Sequence, residues 1–389
     1  MFLSLLGDWK YAFRIFSLHR GGISPIRIYN LHLITVIVIL VITFFLYNYL
    51  STFNTVCYEN DKLMSCLDYY KYNSTYPLTA PITRPTGISY RIAIISDLDL
   101  EAQSLLHKSW ISFLKKGILS WDPHNDKIHI SWEKNELLLS SSFVINDRGM
   151  ELSELITFDG RLLSFDDRTG IVYDIEDKAY PWIILIDGDG RSSKGFKSEW
   201  ATVKNNFLYV GSIGKEWTSS SGEFIHNNPM WIKIISPRGE VKSVNWINNY
   251  KKLRQAVNIE FPDLLTGYMI HESGVWSNIH KCWFFIPRRC SVKQYNETED
   301  EKMSCNVLLK ADEEFNYVTV TQLNNWIPIR GFSSFKFLPG SEDRIIIALK
   351  TEEYQSQTAT YITAFTINGK LLLPDLKIGD YKYEGFEFI

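Results

Sequence analysis

From Tyr90 to the C-terminus the chain is a succession of short apolar stretches separated by turn residues, and this pattern constrains the fold more than any other. The stretches include RIAIISDLD, KIHISWE, LITFDGRLLSFDDRTGIVYDI, PWIILIDGDG, FLYVGSI, WIKIISPRGEV, CWFFIPRR, NVLLKA, RIIIALK and YITAFTINGKLLL. They are short and rich in β-branched and aromatic residues, as strands are. Asp159-Gly160, Arg238-Gly239 and Asn368-Gly369 fall between apolar runs, where hairpin turns belong. Only Glu101–Lys116 (EAQSLLHKSWISFLKK) and a stretch near Asn249–Ile259 read as helix. Roughly 300 residues of such sequence exceed one sandwich and suit a β-propeller of about five or six blades. No sharp internal repeat fixes the blade number.

Five blocks place a Ser or Glu inside an apolar, strand-like setting: MELSEL (Ser153, Glu154), FKSEW (Glu199), YMIHESGVW (Glu272), RGFSSFKF (Ser333) and YKYEGFEFI (Glu384). Carboxylates are seldom buried unless paired or bound to metal. An oxygen-rich set without Cys or His suits a hard cation, calcium above all. The blocks recur roughly every 45 to 75 residues, the interval at which a propeller returns to its axis, so the set can converge on one ion.

The N-terminal part reads differently. Residues 28–58 contain no Asp, Glu, Lys or Arg, and residues 31–50 form an apolar run long enough to span a bilayer as a helix. Lys10, Arg14, Arg20 and Arg27 precede it, whereas Glu59, Asp61 and Asp68 follow. This bias predicts a type II signal anchor with residues 1–30 in the cytoplasm and the bulk in a lumen or outside. The acceptor tripeptides at Asn73 and Asn296 agree with that side. Residues 51–88, polar and then rich in Pro and Thr, read as a stalk, which leaves 89–389 as the propeller. Cys57 and Cys66 flank a short polar loop, Cys290 and Cys305 bracket a polar segment that a disulfide can staple, and Cys282 is left as a free thiol.

Other chemistries are disfavoured. A net charge of −3 leaves no electrostatic footprint for nucleic acid. Gly211-Ser-Ile-Gly214-Lys215 lacks the spacing and following helix of a phosphate loop. Asp187-Gly-Asp-Gly190 has its glycines out of place for an EF-hand, and the scattered histidines give no zinc site. The stretch Ser164–Gly170 departs from a sialidase Asp-box.

RIAIISDLD, MELSEL, DDRTG, DGDG, FKSEW, GKEWT, IHES-x-x-W, FFIPRR, GFSSFKF, IIALK-x-E and KYEG-x-EFI together resemble, in order, the calcium-activated nucleotidase family of apyrases. That family includes a vertebrate Golgi and endoplasmic-reticulum diphosphatase and salivary apyrases of blood-feeding arthropods. The resemblance implies an all-β, five-bladed propeller with one central calcium ion. It carries the ligands onto Ser153, Glu199, Glu272, Ser333 and Glu384, with Glu154 the neighbour of a matched position. It also implies hydrolysis of nucleoside diphosphates and some triphosphates.

From residue type, Arg168, Lys197, Lys215, Arg288 and Arg289 are candidates for phosphate contacts, and Asp97 or Asp99 for handling the attacking water. Trp217 or Trp276 is suited to stacking on the base. The expected location is the Golgi or endoplasmic-reticulum membrane, with release to the cell surface or medium by stalk cleavage as a variant. An extracellular apyrase scavenging ADP and ATP, and a calcium-binding propeller without catalysis, are the alternatives. The oligomeric state is open, with a homodimer among the options.

Overall fold

The computed structural model describes residues 37–47, 70–104, 108–259, 267–324, 326–355 and 357–389. Two compact units divide the chain, Met1–Lys71 and Tyr72–Ile389. In the first, residues 37–47 are helical and exposed. The rest of the span expected at 31–50 lies outside the described residues, as do the tail 1–30, Cys57 and Cys66. No described helix is long and apolar enough to cross a membrane.

The second unit is a five-bladed propeller. Four blades are sheets whose strands follow chain order from the axis outward. Their inner strands are Leu152–Phe158, Trp200–Lys204, Tyr268–Ser277 and Arg330–Phe337. The fifth blade joins the two ends of the unit. The last strand, Tyr383–Phe388, lies innermost and pairs antiparallel with Gly87–Ser96, followed outward by Trp110–Asp122 and Lys127–Ser141. This closure explains why so apolar a C-terminus exists: Phe386 and Phe388 are fully buried in it. Each inner strand touches the inner strands of the two adjacent blades, so the ring is complete.

Gly385 shows how tightly the ring closes. A Cβ there would lie 2.5 Å from the Leu155 nitrogen of the next blade, so any side chain would push the two inner strands apart.

Two differences from the sequence reading have plain causes. Glu101–Lys116 is not a helix: Asp99–Ala102 forms a short 3-10 turn, and Trp110–Asp122 is a strand. Trp110, Ser112 and Leu114 alternate inward at period two, and pairing with Gly87–Ser96 overrides the local helical spacing. The propeller unit also begins before the boundary placed at residue 89. Tyr76 Oη donates to Glu387, and Thr79 Oγ1 donates to the Ile389 carbonyl. Residues from Tyr72 therefore pack along the sheet ends. The helix near 249–259 is present at Ile247–Ala256, and the hairpin turns lie at the expected dipeptides. Cys290 and Cys305 form a disulfide, leaving Cys282 free among the described residues.

Candidate metal and phosphate site

The inner strands run in one direction around the axis, so their N-terminal ends define one mouth of the tunnel, here called the near mouth. Ser153 and Glu384 stand second in their strands, Glu272 and Ser333 stand in the N-terminal half of theirs, and each lies where the ladder to the second strand breaks register. Such a bulge leaves a residue unpaired and re-aims its side chain. Glu199 immediately precedes its inner strand, held by its N–H donating to the Gly211 carbonyl at 2.8 Å.

The carboxylates of Glu272 and Glu384 are brought together by one guanidinium. Arg288 Nη1 donates to Glu272 and, at 2.8 Å, to Glu384, while its Nη2 donates to Glu353. Glu199 is paired with Lys197 at 2.6 Å, and Lys197 also pairs with Asp167. Burial pushes the Glu199 carboxyl up to about 8 against the pull of Lys197, with Glu272 and Asp167 adding to the rise. Burial likewise holds Glu384 well above the usual carboxylate range despite Lys382, and Glu272 and Asp97 reinforce it. Glu199 and Glu384, both buried, are raised in part by the nearby charge of Glu272, and a divalent cation would stabilise such a cluster. The Ser333 hydroxyl is buried without a hydrogen-bond partner, a further free oxygen in the set. The donor set, all oxygen, fits a hard cation.

Beside this lies a second acidic group. Oxygens of Asp97, Asp99 and Glu151 come within 4.8 Å of one another. Cations already occupy their surroundings. Lys382 is 2.8 Å from Asp97 and 2.6 Å from Asp99; Arg148 lies 2.5 Å from Glu151 and 3.0 Å from Asp99; Arg168 lies 2.8 Å from Glu151. The two aspartates are driven apart. Burial raises Asp97 to about 7 although Lys382 opposes it. Asp99 also feels burial, but Lys382, Arg148 and Lys197 outweigh it and bring it down to about 2. A carboxyl near neutrality beside a permanently ionised one is the arrangement in which acid–base roles separate.

Of the residues singled out from sequence, Asp97, Asp99, Arg168, Lys197, Glu199, Glu272, Arg288 and Glu384 are linked here by ion pairs. Arg289 is buried beside them, with Nη1 lacking a hydrogen-bond partner. Ser153 is buried and its hydroxyl donates to the Ser198 carbonyl, which leaves its main chain as the available donor. Glu154 is engaged elsewhere: it pairs with Lys336 at 3.0 Å and accepts from Ser334 Oγ and the Leu155 N–H. Lys215 turns away to the Glu216 carbonyl and Thr218 and lies over the Tyr295 ring. Trp276 is buried at the opposite end of its strand, while Trp217 is half-buried, stacked on His226 with Lys194 over its face.

Sequence reasoning passed over Glu151, Asp167, Glu353 and Lys382, which complete the network. Three of them stood inside quoted blocks, one or two residues from the positions chosen.

A family model described as "Apyrase" matches residues 98–389. "Soluble calcium-activated nucleotidase 1" of Mus musculus is 50% identical over 319 residues, covering 82% of this chain and 78% of its own. "Apyrase" of Cimex lectularius is 49% identical over 321 residues, covering 82% and 87%. "Apyrase apy-1" of Caenorhabditis elegans is 42% identical over 306 residues, covering 77% and 84%. With a closed propeller, a mouth lined by paired acids and bases, and these relatives, the chain belongs to the apyrase family of nucleotide-phosphate hydrolases.

Proposed function

We propose that the chain hydrolyses nucleoside diphosphates, with UDP and GDP foremost, to monophosphate and phosphate in a calcium-dependent reaction. The observation that carries this is the convergence of Glu199, Glu272 and Glu384 from three inner strands onto one mouth rimmed by Lys197, Arg168, Arg288 and Arg289. Those three glutamates, with Ser153 and Ser333, would hold calcium, which when bound supplies charge neutralisation and orientation for the terminal phosphates. Arg168 and Arg288 offer forked donors to phosphate oxygens, and Lys197 a point charge.

Asp97 takes the proton of the attacking water. Its carboxyl, raised to about 7, accepts a proton readily near neutral pH, whereas Asp99, held at about 2, stays ionised and steadies Lys382. As the water oxygen bonds to the β-phosphorus, the bond from that phosphorus to the bridging oxygen breaks and the monophosphate leaves. Trp217, with His226 stacked on it, would present to the base the face that Lys194 covers in this structure.

The same reading places the propeller in a secretory lumen, tethered by a type II anchor at residues 31–50. Basic residues before that run, exposed acceptor asparagines Asn73 and Asn296, and the Cys290–Cys305 disulfide support it. Phosphate release from UDP, GDP, ADP and ATP by the purified chain, in calcium, in magnesium and in chelator, tests the function. Calcium-dependent turnover of UDP and GDP is expected, and absence of calcium-dependent turnover of every diphosphate would refute it.

A further inference from the structure

We propose that Arg288 is an exchangeable counter-ion of the axial carboxylates: its guanidinium and the cation compete for Glu272 and Glu384, so cation binding delivers Arg288 to the open mouth as a phosphate ligand. This rests on the cation reading above and adds a coupling between the metal and the anion sites.

The geometry carries the argument. One nitrogen, Nη1, donates to one oxygen of each of two carboxylates from different inner strands, Glu272 and Glu384, and so neutralises the charge that a cation on the axis would meet. A guanidinium and a divalent ion repel each other, so the two compete for the same pair of negative charges. The second nitrogen, Nη2, holds Glu353, whose side chain is 36% exposed against 5% for Glu384. Glu353 therefore anchors the outer side of the guanidinium toward solvent, and release of Nη1 leaves Arg288 pivoting on that anchor. The stem is seated against a glycine: Gly331 of the next blade carries no side chain, and a Cβ there would stand 2.4 Å from Arg288 Cγ, so any side chain at that position would displace the guanidinium. Next along the strand, Arg289 already has a buried Nη1 without a hydrogen-bond partner, so a freed Arg288 completes a paired cationic grip. Thermodynamic reciprocity then requires phosphate to tighten calcium by the factor with which calcium tightens phosphate.

The test is calcium binding by titration calorimetry on the purified full chain, wild type and Arg288→Met, each with and without inorganic phosphate. With its competitor removed, Arg288→Met is expected to bind calcium about tenfold tighter than wild type, and to lose the phosphate enhancement that wild type shows. Melting in chelator should drop in the variant while its calcium-induced shift grows. Should Arg288→Met fail to fold, Arg288→Lys serves instead: a point charge that neutralises two carboxylates less completely shifts affinity in the same direction. Calcium affinity equal to or weaker than wild type in the variant overturns the exchange, as does a phosphate enhancement that survives it. Wild type that binds no calcium overturns both this inference and the cation reading. Wild type that binds calcium while the variant gains nothing overturns the exchange alone.

Discussion

The two mouths of the tunnel both bury glutamates, but they neutralise them in different ways. At the far mouth the C-terminal ends of all five inner strands line a cavity of about 610 Å³, flanked by residues Tyr72 to Tyr76. Glu387 there accepts from Tyr76 Oη at 2.9 Å, from the Thr157 N–H at 2.9 Å and from the Phe388 N–H at 2.8 Å. Glu154, set further along the tunnel, has Lys336, Ser334 and a backbone N–H. These carboxylates are satisfied by fixed, mostly neutral donors. At the near mouth the acids are held by the ends of long cationic side chains, which can exchange for another cation or turn to an anion. Buried acid alone therefore does not distinguish the proposed cation site; the kind of partner does.

The largest test of that contrast is paired substitution. Glu272→Gln and Glu384→Gln at the near mouth should each reduce calcium-dependent turnover by about a hundredfold or more and erase the calcium-induced rise in melting temperature. Glu387→Gln at the far mouth should leave both intact, and comparable losses from it would collapse the distinction. Next in size, Asp97→Asn should lower kcat by about 10²–10⁴-fold while calcium still raises the melting temperature, since the change removes a proton acceptor and not an axial ligand. Loss of calcium stabilisation in that variant would move the ion into the Asp97 group.

Smaller effects fall on stability. Tyr76→Phe or Glu387→Gln should cost about 1–3 kcal/mol in denaturant unfolding, because each strips a buried hydrogen-bond partner at the far mouth. No change in the unfolding midpoint would mean that the Tyr72–Tyr76 segment does not hold there. The pH dependence is the finest probe. Glu199 is raised from 4.5 to about 8, so without calcium its contribution to stability is complete below 4.5 and is lost as pH rises through 8. Calcium binds the ionised form, so the calcium-induced melting shift should grow between about pH 6 and 8. A shift constant over that range would place the titrating carboxylates away from the ion.

Much of this molecule was legible in its residues. Strand-length apolar runs and glycine turns spoke for a propeller, and a C-terminal FEFI made sense only if the end closed a sheet. The axial residues were visible as acids and serines inside apolar strands. The bulges that aim them were not, because a register break depends on which residue the second strand offers opposite. Glu154 illustrates the difficulty. One position from Ser153 and equally buried, it is taken up by Lys336 and Ser334, contacts 182 and 180 residues away in sequence. Lys382 and Glu353 were hidden for the same reason: their meaning lies in pairs made between strands. Trp110–Asp122 misled in the other direction, since its local spacing allowed a helix until sheet pairing decided.

The most direct measurement is an anomalous-difference map from crystals of the protein grown with calcium or a lanthanide substitute. A single strong peak on the tunnel axis, within ligand distance of Glu199, Glu272 and Glu384, is the predicted result. A peak among Asp97, Asp99 and Glu151, or at the far mouth near Glu387, would contradict the account.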